Sequence, residues 1–230
     1  NPEAITANAI ADPTTGKGRF LNRVYGIKGY GQVYCWHQNK SNKTLHHCLL
    51  IHNPNNYPVK IEVPNCGLTF SKGEPPDTTA WERYCKGYSY PGITIPANGY
   101  GNLFMRTGIP NGYVIGIVAR LNITKTDGSP IGTGVTLFDL AYENDSSGAT
   151  EFANAESYQD TLRLRGLGAG FYTTISVPTI TPTSANGIGF KIGSSDDTFK
   201  GMDCSYITAE GGLPSGRLPG AFGQQFNITI

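Results

Sequence analysis

Charge is scarce in this chain: Asp, Glu, Lys and Arg make up 15% of 230 residues and sum to +1. A binder of nucleic acid needs a basic surface to neutralise phosphates, and none is encoded here. No apolar run approaches the roughly 18 to 20 residues that span a bilayer as a helix. Helical periodicity is nearly missing, and so are the short catalytic signatures. There is no Gly-x-Ser-x-Gly elbow, phosphate-cradling glycine loop, His-Glu-x-x-His or calcium-binding EF-hand loop. Carboxylates are few, and nothing pairs them for acid–base work. The sequence reads as a protein without catalytic function.

Short runs rich in Val, Ile, Thr, Tyr and Phe take the place of helices, among them "GQVYCWH", "LHHCLLIH", "PVKIEV", "GITI", "GYVIGIVARLNI" and "GVTLFDLAY". Turn signals separate them, including Asn98-Gly99, Asn111-Gly112, Asn186-Gly187 and the "PNNYP" corner. The pattern predicts an all-β chain, an antiparallel β-sandwich or jelly roll. One or two short helices are expected, at "DTTAWERYC" with Asp77 as N-cap and at "ATEFANAESY". The organisation expected is an N-terminal extension over residues 1–17 and a sandwich over 18–230. The Gly/Ser/Asp-rich "ENDSSGAT" near 146 either divides two subdomains or forms a long loop.

Five cysteines, an odd number, and Asn-x-Ser/Thr sequons at Asn39, Asn42, Asn122, Asn144 and Asn227 suit a secreted, extracellular chain, with glycosylation open at each sequon. The first residue is Asn1, with no basic or apolar leader ahead of it. It reads as a mature product whose signal peptide has been removed, though a shortened chain would read the same.

The densest chemistry lies in "YCWHQNKSNKTLHHCLL", residues 34–50. Folded as a hairpin about Ser41 and Asn42, it would oppose Cys35 to Cys48 and His37 to His46. Those four residues would then share one face. Three readings stay open there: a cross-strand disulfide, cysteines free or paired elsewhere, or a Cys2His2 zinc site. The opposite face, with Tyr34 and Trp36, would pack inward. Cys66 and Cys85 flank a long insertion and form a second disulfide candidate, leaving Cys204 unpaired. The acid clusters Asp139/Glu143/Asp145 and Asp196/Asp197 have oxygens suited to calcium, with solvated turn acids as the default reading. No cofactor is required by any of these motifs.

The long stretch "YGQVYCWHQNKSNKTLHHCLLIHNPNNYPVKIEV", with "ITIPANGYGNLFM" and "GYVIGIVARLNI", resembles a module of secreted, wall-associated Gram-positive bacterial proteins, often fused to copper-amine-oxidase-like repeats. The resemblance covers about residues 18–140 and implies an extracellular or cell-surface structural role. It carries no copper ligands over to this chain.

The N-terminal "AITANAIA" alternates Ile5, Ala7, Ala9 and Ala11 with mostly small residues, a pattern suited to lying as a strand in a neighbour's groove. The function expected is therefore a self-assembling surface or filament subunit, whose partners are copies of itself joined by strand addition. The alternative is a carbohydrate-binding module, with exposed rings in "GYSYPG" and "YGIKGYGQVY" stacking on glycans.

Overall fold

The computed structural model describes residues 3–72, 76–143 and 155–158, and beyond them the backbone of five short strands. In chain order the elements are β1 (Glu3–Ile5), α1 (Ala7–Ile10), β2 (Arg19–Phe20), β3 (Asn22–Ile27), β4 (Gly29–Asn39), β5 (Leu45–His52) and β6 (Val59–Ser71). Helix α2 (Pro76–Cys85) follows, then β7 (Tyr90–Ile95), β8 (Tyr100–Ile109), β9 (Val114–Lys125), β10 (Val135–Tyr142) and β11 (Glu156–Ser157). The remaining strands are β12 (Leu167–Gly168), β13 (Tyr172–Ser176), β14 (Met202–Thr208), β15 (Ser215–Leu218) and β16 (Gln225–Thr229). Segments "DTLRLRG" and "GIGFKIG" lie outside the described residues.

Two sheets carry the fold. One has the order β1-β4-β9-β6-β7 and the other β3-β10-β5-β8. From β3 to β10 every connection but β6 to β7 crosses from one sheet to the other. Eight strands wound in this way form a jelly roll, so the all-β sandwich expected from the strand pattern is what the chain adopts. Apart from β11, which pairs with β2, the strands after β10 pair among themselves.

Strand parity sets the interior. On β4 the odd residues Val33, Cys35 and His37 face inward; on β5 they are Leu45, His47, Leu49 and Ile51; on β10 they are Val135, Leu137, Asp139 and Ala141. The even residues of β5 and β10, except His52 at the end of β5, are also buried, with Phe20 packing over Cys48, Leu50, Phe138, Leu140 and Tyr142. That double burial explains why both strands read as nearly unbroken apolar runs rather than alternating ones.

On the other sheet, α2 covers Tyr34, Trp36 and Val118 through Ala80, Trp81 and Tyr84. Tyr34 and Trp36 thus pack on the outer face of their sheet, beneath a helix, and not in the sandwich interior. The approach is close: a Cβ built on Gly67 would lie 1.7 Å from the Ala80 carbonyl oxygen. Helix α2 begins one residue earlier than Asp77, at Pro76, a first helical position where the missing N–H costs nothing. The other helix expectation is corrected in part, since Glu156–Ser157 is a strand added parallel to β2.

The N-terminal segment also departs from expectation. Within it only Glu3–Ile5 forms a strand, pairing parallel with β4 of its own chain. Residues Ala7–Ile10 close a helical turn, so Ile5 and Ala9 are buried, Ala7 is exposed and Ala11 half-buried. The continuous strand presenting Ile5, Ala7, Ala9 and Ala11 on one face does not form. Arg19 fastens the segment: it donates to the Asn8 carbonyl at 2.9 Å, to the Asp12 carboxylate, and to Glu156 Oε1 at 3.1 Å.

Candidate functional site

The hairpin expected over residues 34–50 is not there, because β4 and β5 belong to opposite sheets. Cys35 lies beside Ile117 and His37 beside Ile115 on β9, while His46, His47 and Cys48 lie beside Tyr142, Ala141 and Leu140 on β10. Cys35 and His37 point into the sandwich, and His46 and Cys48 point to the far side of the other sheet. Neither a Cys35–Cys48 disulfide nor a Cys35/His37/His46/Cys48 zinc site can form from that arrangement. All four described cysteines are unpaired. Cys66 is buried in the core and Cys85 is exposed at the end of α2, so the second disulfide candidate falls as well. Cys204 lies on β14, where only the backbone is described.

A different cluster takes the place of the expected one. His47 stands opposite Ala141, and Asp139, two residues along β10, is its diagonal neighbour on the inward face. His37 reaches across from the facing sheet. Its Nε2 lies 2.8 Å from Asp139 Oδ2, and Nε2 of His47 lies 2.8 Å from Oδ1. One carboxylate thus takes both imidazoles, whose ring centroids are 5.3 Å apart. Exposure is 3% for His37, 0% for His47 and 6% for Asp139, so water contributes almost nothing to their solvation. Cys35, two residues before His37, completes the group. The ligand atoms of Cys35, His37 and Asp139 all lie within 4.8 Å of one another.

Burial by itself would push the Asp139 carboxyl up, but the pull of His37 and His47 outweighs it and holds the group below the usual carboxylate range. His47 is shifted down, chiefly by burial and partly offset by Asp139. Burial, with Asp139 nearby, pushes the Cys35 thiol well up. A thiol so placed is a poor nucleophile, because the thiolate is the reactive form. Among the described residues His47 Nδ1 has no hydrogen-bond partner, so the proton of neutral His47 belongs on Nε2, facing the carboxylate. What the group offers chemically is one sulfur, half-buried, with one buried imidazole and one buried carboxylate donor, and a second imidazole on the carboxylate.

Asp139 therefore does not belong to a calcium site with Glu143 and Asp145. It faces the interior, whereas Glu143 is exposed and paired with Lys43 at 2.7 Å. Asp145, Asp196 and Asp197 lie outside the described residues. Of the sequons, Asn39 is fully buried, donating to the Lys43 and Ile109 carbonyls and accepting from Ser41, so its amide cannot carry a glycan in the folded chain. Asn42 is exposed in the neighbouring turn, and Asn122 is half-buried against Glu62 at 3.1 Å. Asn144 lies outside the described residues, and Asn227 lies on β16, described in backbone only.

The Asp139 cluster carried one sequence signal. In "VTLFDLAY" a single acid interrupts an otherwise apolar strand, and an acid buried there requires a partner. Comparison of the chain with family models, with curated proteins and with solved structures returned no match.

Proposed function

We propose that this chain is a structural subunit that assembles with copies of itself, exchanging its N-terminal strand. Jelly rolls serve in capsids, lectins and other proteins, so the fold alone does not choose among functions. The supporting observation is the way β1 is attached. It is a three-residue strand laid parallel on the open edge of β4, anchored by the buried Ile5 and joined to the sandwich through residues 6–18. A second copy presents the same edge and the same Arg19, so a donated segment, strand and helical turn together, re-forms in the neighbour the contacts it gives up at home.

The test uses the β1–β4 register, in which Ala4 is the partner of Gln38. In a Cys85→Ser background, Ala4→Cys and Gln38→Cys are introduced together and the protein is refolded at rising concentration, then oxidised. Interchain ladders that grow with concentration are expected, and deletion of residues 1–12 should leave only monomers. Intrachain closure at every concentration would overturn the proposal.

A second reading, of a carbohydrate-binding face, is favoured by one observation. Tyr30, Asn122 and Glu62 form a cross-strand row on the outer face of the five-stranded sheet. They line a groove of about 580 Å³ together with Lys60, Tyr90 and Thr94. Tyr30 is 73% exposed, an open ring beside amide and carboxylate groups of the kind that hold sugar hydroxyls. Glycan-array binding by the monomer that disappears in Tyr30→Ala would support this reading, and an empty array would remove it.

A further inference from the structure

We infer that Cys35, His37 and Asp139 bind a divalent transition metal, zinc by preference, between the two sheets, with His47 positioning the carboxylate. The donor set is the first argument. Thiolate, imidazole and carboxylate together are the ligands of zinc and its neighbours, whereas calcium and magnesium take oxygen alone.

Geometry is the second. A tetrahedral ion with bonds of about 2.0–2.3 Å holds its ligand atoms roughly 3.3–3.7 Å apart. The donor atoms lie within 4.8 Å of one another; the wider separations close by about 1 Å, while His37 Nε2 and Asp139 Oδ2, now hydrogen-bonded at 2.8 Å, open by about 0.5 Å to admit the ion. They come from strands of both sheets, β4 and β10, whose positions the surrounding core fixes. His47 is already on the carboxylate's other oxygen at 2.8 Å, the place of a group that orients a metal ligand.

Charge is the third. A dication with one thiolate and one carboxylate sums to zero, which suits an interior that tolerates no uncompensated charge. On binding, the Cys35 S–H bond gives way to a sulfur–metal bond and one proton is released to solvent, while the proton His37 Nε2 shares with Asp139 passes to Nδ1 and leaves Nε2 free to ligate. With His37 and Asp139 almost fully covered, the ion enters as the two sheets close, so loading is coupled to folding.

The experiment unfolds the full chain in guanidinium with a chelator, desalts it, and refolds it with cobalt(II) or zinc(II) before a second desalting. Metal is counted by mass spectrometry, and cobalt–thiolate absorption reports the sulfur ligand. One ion per chain with a thiolate charge-transfer band is expected. Cys35→Ser should lose that band, and His47→Gln should weaken retention by roughly 10- to 100-fold against a competing chelator. The same-protein control His46→Asn, on the far face of β5, should bind as the wild type does. Wild-type protein that refolds but carries no metal overturns the inference without recourse to any variant. So does a cobalt spectrum unchanged by Cys35→Ser, and so does stoichiometry lost in His46→Asn. None of these readouts depends on whether the chain assembles.

Discussion

Removing the negative charge of Asp139 while keeping its shape tests whether one carboxylate holds both imidazoles. In metal-free protein the carboxylate accepts from Nε2 of His37 and of His47, each at 2.8 Å. In Asp139→Asn the amide oxygen serves one of them. The amide nitrogen now donates, so the other histidine must accept and move its proton to Nδ1. For His47 that nitrogen is buried with no partner among the described residues. A buried N–H left unsatisfied costs about 1–3 kcal/mol, and the surviving bond loses the roughly 1 kcal/mol that a charged acceptor adds. The sum is a loss of about 2–4 kcal/mol. Asp139→Leu should be worse, since two N–H groups are then stranded. Urea titration followed at Trp36 and Trp81 reads the effect as a midpoint lowered by roughly 1 M or more at constant slope. Asp139→Asn within about 0.5 kcal/mol of wild type, the range of an ordinary surface change, would refute the geometry.

Three further outcomes follow from the packing. Gly67→Ala drives a methyl group into the Ala80 carbonyl, so α2 must lift; a loss near the top of about 1–3 kcal/mol with red-shifted tryptophan emission is expected, while Gly31→Ala, with open space around it, should be nearly neutral. In a glycosylating host, peptide mapping should find Asn39 bare, and Asn39→Ala should cost about 2–4 kcal/mol in thermal or urea melts because its four side-chain hydrogen bonds are buried. Among the described cysteines a thiol reagent should label Cys85 first. Burial pushes Cys66 up to about 12, so raising the pH from about 7 to 9 leaves Cys66 unlabelled. A native mass showing Cys85 blocked by Cys66 would contradict the placement of both.

The strands were legible because β-branched and aromatic runs alternate with strong turn residues. Asn98, at φ 53°, and Gly112, at φ 85°, do hold left-handed turns where Asn-Gly pairs announced them. The full reach of β6 was not legible, because Pro64 reads as a break; the strand runs on through it with a register shift between Glu62 and Asn65. The site failed for a topological reason. A local hairpin pairs odd residues of the first strand with even residues of the second, so Cys35 was matched to Cys48 and His37 to His46. In a jelly roll the two strands sit in opposite sheets and present odd residues to each other across the core, which brings His37 to Asp139 and to His47. No local pattern carries that information; it resides in which strand crosses over to which sheet.

This topology also bears on why such a cluster sits in the core at all. A buried carboxylate with two imidazoles is not needed for stability, since well-packed leucines often serve as well or better. Its distinctive effect is on register. Sliding β10 by one residue against β5 would turn Asp139 outward and set Phe138 or Leu140 against the two imidazoles, leaving their N–H groups without an acceptor. An all-apolar interior penalises that slip far less. The triple variant His37→Leu/His47→Leu/Asp139→Leu separates the two roles, because it removes every polar group at once. Urea stability should return to within about 1–2 kcal/mol of wild type, well above Asp139→Leu alone. Amide dispersion in heteronuclear spectra should nevertheless broaden along β5 and β10, as the sheet samples more than one register. Sharp, wild-type-like spectra from a stable triple variant would show that packing alone fixes the register.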